Sequence, residues 1–182
     1  SNYTVNVVES VNVVNRTNVL LDAICFNNYA AAFRDGASIK PYTPLNEGKC
    51  FPNGVNFAEI NFEYVKLNNE KVDFNMVGQD DNAIEIKLFE SLEPKDSVKI
   101  EMAFKLKLAE CTHRMGYYKD SINLGNCFPI LAIYENGEYV IEPYYSTGDP
   151  FYSEIANYNV TITYPDSYYL SSSGIEKSIK IE

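Results

Sequence analysis

The sequence predicts an all-β fold, an antiparallel β-sandwich or saddle-shaped curved sheet, and three observations carry that prediction. Apolar and polar residues alternate at period two along most of the chain. Gly, Pro and Asn turn clusters break these stretches at short intervals. No window combines a 3.6-residue apolar stripe with caps, so no amphipathic helix is expected.

Taken in order, Val5–Val14 reads as a strand rich in Val and Asn. Val19–Phe26 is apolar on both sides, the pattern of a central strand. Asn28–Arg34 ("NYAAAFR") suffices for a single helical turn. Asp35–Asn56, with three prolines and three glycines, reads as an irregular surface excursion inside the domain. Ile60–Leu67 is a strand closed by the turn Asn68-Asn69-Glu70-Lys71. Ile84, Ile86 and Leu88 alternate with Glu85 and Lys87. Val98, Ile100, Met102, Phe104, Leu106 and Leu108 alternate with Lys99, Glu101, Lys105 and Lys107. The turn residues Leu92–Asp96 between these two strands predict that they pair as a hairpin. Leu131–Tyr134 and Tyr139–Ile141 flank Asn136-Gly137, a pair suited to a two-residue hairpin turn because both positions want positive φ. Finally Tyr158, Val160, Ile162 and Tyr164 alternate with Asn159, Thr161 and Thr163, which predicts a strand ending at Pro165.

Composition narrows the function. The 182 residues fit one domain with a proper core. A net charge of −10 repels phosphate backbones and anionic membranes, and no apolar run reaches the length of a membrane span. Fifteen Tyr and no Trp suit half-buried sheet faces. Cys25, Cys50, Cys111 and Cys127 form no C-x-x-C pair; they read as buried free thiols, with one disulfide as the alternative.

Catalytic signatures are sparse. His113 is the single histidine and there is no H-E-x-x-H, so zinc ligation lacks its set of donors. Cys111 and His113 stand two apart, a weak nucleophile–base signal. Asp80-Asp81-Asn82 and Asp120 lack the regular oxygen spacing of a calcium loop and read as solvated turns.

From Gly125 the order is "GNCFPILAIYENGEYVIEPYYSTGDPFYSEIANYNVTITYPDSYYLSSSG". Together with the upstream "NRTNVLLDAICFNNYAAAF" and "LEPKDSVKIEMAFKLKL" before Arg114-Met115-Gly116-Tyr117, it resembles the N-terminal β-domain of zinc aminopeptidases of the aminopeptidase N type, especially bacterial members. The resemblance covers nearly the whole chain in order. It implies that residues 1–182 are a single N-terminal β-domain, a fragment of a larger metallopeptidase, ending before or within that module's last strands. It further implies no cofactor in this chain, with zinc and the general base on a separate catalytic domain of the same polypeptide. Its cleft-facing or interface loops would carry Arg114, Gly116, Tyr117, Phe128, Pro129, Gly148, Asp149, Pro150 and Tyr152. Two departures stand out: Gly148-Asp149-Pro150 replaces an acid-acid-proline loop, and Cys127 replaces an aromatic. The glutamine or glutamate that grips a substrate amine has no assignable counterpart between Met115 and Asn126.

The function expected from this is non-catalytic, docking on a hydrolase's catalytic domain and shaping its peptide-binding cleft. The alternative is an exported β-sandwich that binds glycan or peptide through Tyr144, Tyr145, Tyr152, Tyr168 and Tyr169. A hydrolase acting alone, with His113 as base, is the third reading. Nucleic-acid binding and membrane insertion are not expected, and an exported or cell-surface setting is slightly favoured over the cytoplasm.

Overall fold

The computed structural model describes residues 3–180. Its strands are β1 (Thr4–Val14), β2 (Leu21–Asn27), β3 (Glu59–Leu67), β4 (Glu70–Val72), β5 (Asn75–Val77), β6 (Ala83–Leu92), β7 (Ser97–Lys107), β8 (Met115–Tyr118), β9 (Ser121–Leu124), β10 (Ile130–Leu131), β11 (Tyr134–Glu135) and β12 (Glu138–Tyr139). They make two open four-stranded sheets, in the orders β1-β7-β3-β4 and β10-β2-β6-β5, and two separate hairpins. Every ladder is antiparallel. The fold is therefore all-β and sandwich-like, as the alternation predicts.

The two sheets close over one shared cluster. Val13, Val65, Val98, Ile100 and Met102 come from the first, and Leu21, Ile24, Phe26, Ile84 and Ile86 from the second. Ile24, Phe26, Ile84, Ile86, Ile100 and Met102 are fully buried, and each contributes about 1.5–3 kcal/mol of transfer free energy. As expected of a strand apolar on both sides, β2 lies inside its sheet, between β10 and β6.

The predicted β6–β7 hairpin is corrected. The two strands belong to different sheets: Leu92 pairs with Leu21, whereas Ser97 pairs with Val14. Both send an apolar face into the same core, so the four intervening residues arch from one sheet to the other. The β1–β2 connection crosses in the same way, and Asn15 ties the two arches together. Asn15 is 1% exposed; its backbone N–H donates to Asp96 and its carbonyl accepts from Lys95. Its Nδ2 donates to the carbonyls of Leu92 and Val19, both at 2.8 Å, while its Oδ1 accepts from the backbone and hydroxyl of Thr17.

Local turn chemistry follows expectation elsewhere. Asn68 and Asn69 both take positive φ between β3 and β4, and Asn136-Gly137 do so between β11 and β12. Tyr29–Phe33 is one 3-10 turn. The excursion over residues 35–56 does more than run along the surface. Ala37, Cys50 and Phe51 are buried, and Cys50 and Phe51 join a second core cluster with Tyr29, Phe33, Leu106, Met115 and Tyr144.

The strand predicted for Tyr158–Tyr164 is also corrected: this segment joins no ladder, and Tyr158, Val160, Ile162 and Tyr164 are exposed. Alternation supplies a two-faced chain, but a strand also needs a neighbour to take its N–H and C=O groups. After Glu154 donates to the Leu131 carbonyl, no backbone bond ties residues 155–164 to either sheet.

Candidate functional site

The loops singled out by the sequence all rest on the second core cluster, which holds Tyr117, Leu124, Phe128 and Phe151 at its margin. The first group is built where β7 leaves its sheet. Cys111 N–H donates to Tyr117 and Tyr117 N–H to Ala109, so the chain doubles back tightly. Gly116 permits this with φ 148°; a Cβ there would lie 2.9 Å from the Ala109 carbonyl and closer still to Cys111 Sγ. Tyr117 stacks on Tyr3 at 3.6 Å between ring centroids.

Arg114 lies one residue before that hairpin and sets its guanidinium 4.8 Å from the centroid of the Phe151 ring. This brings Arg114 to the Gly148–Tyr152 loop. Gly148 has φ 82°, Asp149 Oδ1 accepts the Phe151 N–H at 3.2 Å, and Pro150 is buried. The acid of this loop thus turns its own backbone. Phe151 meets Tyr29 edge-on at 4.7 Å and Tyr144 at 6.1 Å. The Tyr29 hydroxyl accepts from Tyr152 N–H at 2.9 Å and donates to the Tyr152 carbonyl at 3.1 Å. Asn27 Nδ2 donates to the same carbonyl at 3.0 Å. The Tyr152 side chain is left on the surface with its hydroxyl 3.5 Å from Glu135. Arg114, Asp149, Pro150 and Tyr152 therefore belong to one braced loop pair.

Phe128 and Pro129 stand apart from that pair. Pro129 is buried, and the Phe128 ring packs 5.8 Å from Tyr158. Beside them is a residue the sequence reading passed over. Glu9 has the same phase as Val5, Val7, Val11 and Val13, so β1 points it inward. Its Oε2 is buried without a partner, and burial raises its carboxyl to about 8. The thiol of Cys127 and the phenol of Tyr158 both feel its charge. An acid at an apolar phase of the alternation was the available signal.

The remaining candidates resolve into structural roles. His113 packs edge-on against Phe33 at 5.2 Å; burial first, then the Arg114 charge, lower its pKa and keep it neutral at pH 7. Cys111 Sγ donates to the Met115 carbonyl, and burial raises its thiol to about 11, the opposite of the shift that activates a nucleophile. Asp80 is more than a solvated turn: its Oδ2 accepts from the Ser38 and Ile39 N–H groups and the Ser38 hydroxyl. Asp81 pairs with Arg34 at 2.9 Å. All four cysteines are buried and free. Of the five tyrosines suggested for ligand contact, Tyr144 is a core residue, whereas Tyr145, Tyr152 and Tyr169 are exposed. Among the described residues, no group of three or more His, Cys, Asp or Glu is placed to hold a metal ion, and no helix is long and apolar enough to cross a membrane.

Comparison with protein-family models, with curated proteins and with solved structures found no match.

Proposed function

We propose that the chain is a non-catalytic β-domain of a zinc-aminopeptidase-like hydrolase, docking on a catalytic domain of the same polypeptide and shaping its cleft. The observation that carries the reading is the apolar surface of residues 155–179. Ile155 is 98% exposed and Ile175 91%, with Tyr158, Val160, Ile162, Tyr169 and Leu170 also open to solvent. A segment with this many exposed apolar side chains supports the reading of an interaction surface here. The Arg114–Phe151 loop pair adds a rigid platform, since both of its loops are braced from the core.

Among the described residues no cluster of His, Cys, Asp and Glu is placed to hold zinc; the histidine packs edge-on against Phe33 and the four cysteines are buried. In this reading metal and general base belong to the docking partner, and no chemical step is assigned here.

The test has two arms. Elemental analysis of the purified chain should find far less than one zinc per molecule, with no turnover of aminoacyl anilides; stoichiometric zinc or turnover refutes the proposal. In the second arm the catalytic module of the same polypeptide, expressed separately, should co-elute with the chain. Ile155→Ser combined with Val160→Ser should abolish co-elution, and unchanged co-elution refutes the assigned surface.

A further inference from the structure

A cleft of about 280 Å³ opens between β3 of one sheet and β5 of the other. Phe62, Phe74 and Met76 form its apolar wall; Asn28, Arg34 and Asp81 form its polar one. At this volume, below the roughly 300–1,000 Å³ of small-molecule pockets, it suits a side chain with a stretch of backbone.

Two features of the cleft ask for a peptide. The first is the backbone. Ile60, Asn61 and Phe62 all line it although consecutive strand residues face opposite ways, so the cleft runs along the strand edge. That edge is open: β4 pairs only with Val65, Lys66 and Leu67, leaving Glu59–Phe62 bonded on the β7 side alone. Across the cleft β5 is the terminal strand of its sheet. The second feature is the polar wall. Asn28 is 1% exposed, yet neither its Nδ2 nor its Oδ1 has a partner, and the buried Nε of Arg34 has none either. Buried carboxamides are normally satisfied. An extended chain repeats donors and acceptors along an open edge, and a small turn of the closed-off Asn28 carboxamide toward the cleft would let one peptide group meet both of its atoms. A sugar fits less well, since Phe62 and Phe74 are half-buried and engaged edge-on with each other at 5.8 Å.

Charge selects the flanks. Arg34 and Asp81 neutralise each other at 2.9 Å, and the chain carries −10 overall. We infer that this cleft binds an extended peptide by strand addition along Glu59–Phe62, seating one large apolar side chain against Phe62, Phe74 and Met76, with basic residues on either side. The inference is independent of the docking proposal, and its failure leaves that proposal standing.

The probe is a fluorescein-labelled heptapeptide with a central Phe, Val on both sides and Lys at both ends, titrated by anisotropy and by amide chemical-shift mapping of the whole chain. Saturable binding is expected, with shifts confined to residues 28–34, 59–62 and 74–81. Methylating alternate peptide nitrogens should weaken binding about tenfold or more through lost strand hydrogen bonds. Glu in place of the terminal Lys should weaken it several-fold, and Met76→Ala, folded by its melting curve, should weaken it too. No saturation by about 1 mM, shifts only within residues 155–179, or equal binding of the methylated peptide would each overturn the assignment. So would a concentration-dependent dimer mapping to the same amides, because the occupant would then be a second copy of the chain.

Discussion

Replacing Glu9 with glutamine should remove most of the loss of stability that the protein suffers between pH 5 and pH 9. Unfolded, the carboxyl titrates near 4.5; folded, burial raises it to about 8. The folded state therefore holds the proton more tightly than the unfolded chain. Its contribution is full below pH 4.5, shrinks as the pH climbs, and is gone above pH 8. At about 1.4 kcal/mol per pKa unit, the loss from pH 5 to pH 9 is of order 4 kcal/mol, with about 2.5 already lost at pH 7. Urea unfolding at pH 5, 7 and 9 reads this directly. With an m-value of about 2–3 kcal/mol/M, the wild-type midpoint should fall by roughly 1.5–2 M from this source. Glu9→Gln should match wild type at pH 5 and exceed it progressively above. Cys127, raised to about 11, and Tyr158, also raised, stay neutral across the range, so the comparison isolates one proton. Parallel curves for the two proteins would refute the argument, because a carboxyl that reaches water would not have its pKa raised.

Three further outcomes are expected. Asn15→Ala leaves the buried Leu92 carbonyl without its donor and frees both arches, which should cost about 2–4 kcal/mol in urea unfolding; a change under about 0.5 kcal/mol would mean that water replaces the side chain. Tyr29→Phe removes the hydroxyl that holds Tyr152 at both its N–H and carbonyl; it should cost about 1–2 kcal/mol and open the 148–153 loop to limited proteolysis, and an unchanged cleavage pattern would refute the bracing role. The four thiols, with Cys25 raised to about 12 and Cys111 and Cys127 to about 11, should ignore a disulfide reagent at pH 8 in the native protein and react in full in denaturant; a fast native phase would contradict their burial.

Strands were legible wherever apolar alternation coincided with a ladder, as in β1, β3 and β7, and turns were legible where Asn or Gly met a positive-φ requirement. Sheet membership was not. The Leu92–Asp96 turn looks the same whether the chain folds back within a sheet or arches across the core; the partners of each strand decide it, and Asn15, some 80 residues upstream, ties the arch down. Tyr158–Tyr164 shows the converse limit, since its alternation is sound but pairing is a property of two segments. At the loop site, Gly148-Asp149-Pro150 could be read as a corner from its own residues. Its link to Arg114 passes through Phe151 and Tyr29, which no spacing announces. The cleft at Asn28 draws on four separate stretches of chain, and no spacing in the sequence says that they meet.

The paired arches also set a timetable for synthesis. β1 is made well before β7, yet its ladder joins Thr4 to Lys107 and Val14 to Ser97. A ribosome adding about 5–20 residues per second therefore leaves this valine-rich strand without its partner for roughly 4–20 s. The turn at Asn68-Asn69 lets β3 and β4 pair within moments of emerging, but the first strand must wait. That interval is when a nascent-chain chaperone has most to hold, and when Glu9, still in water and ionised, helps keep the waiting strand soluble.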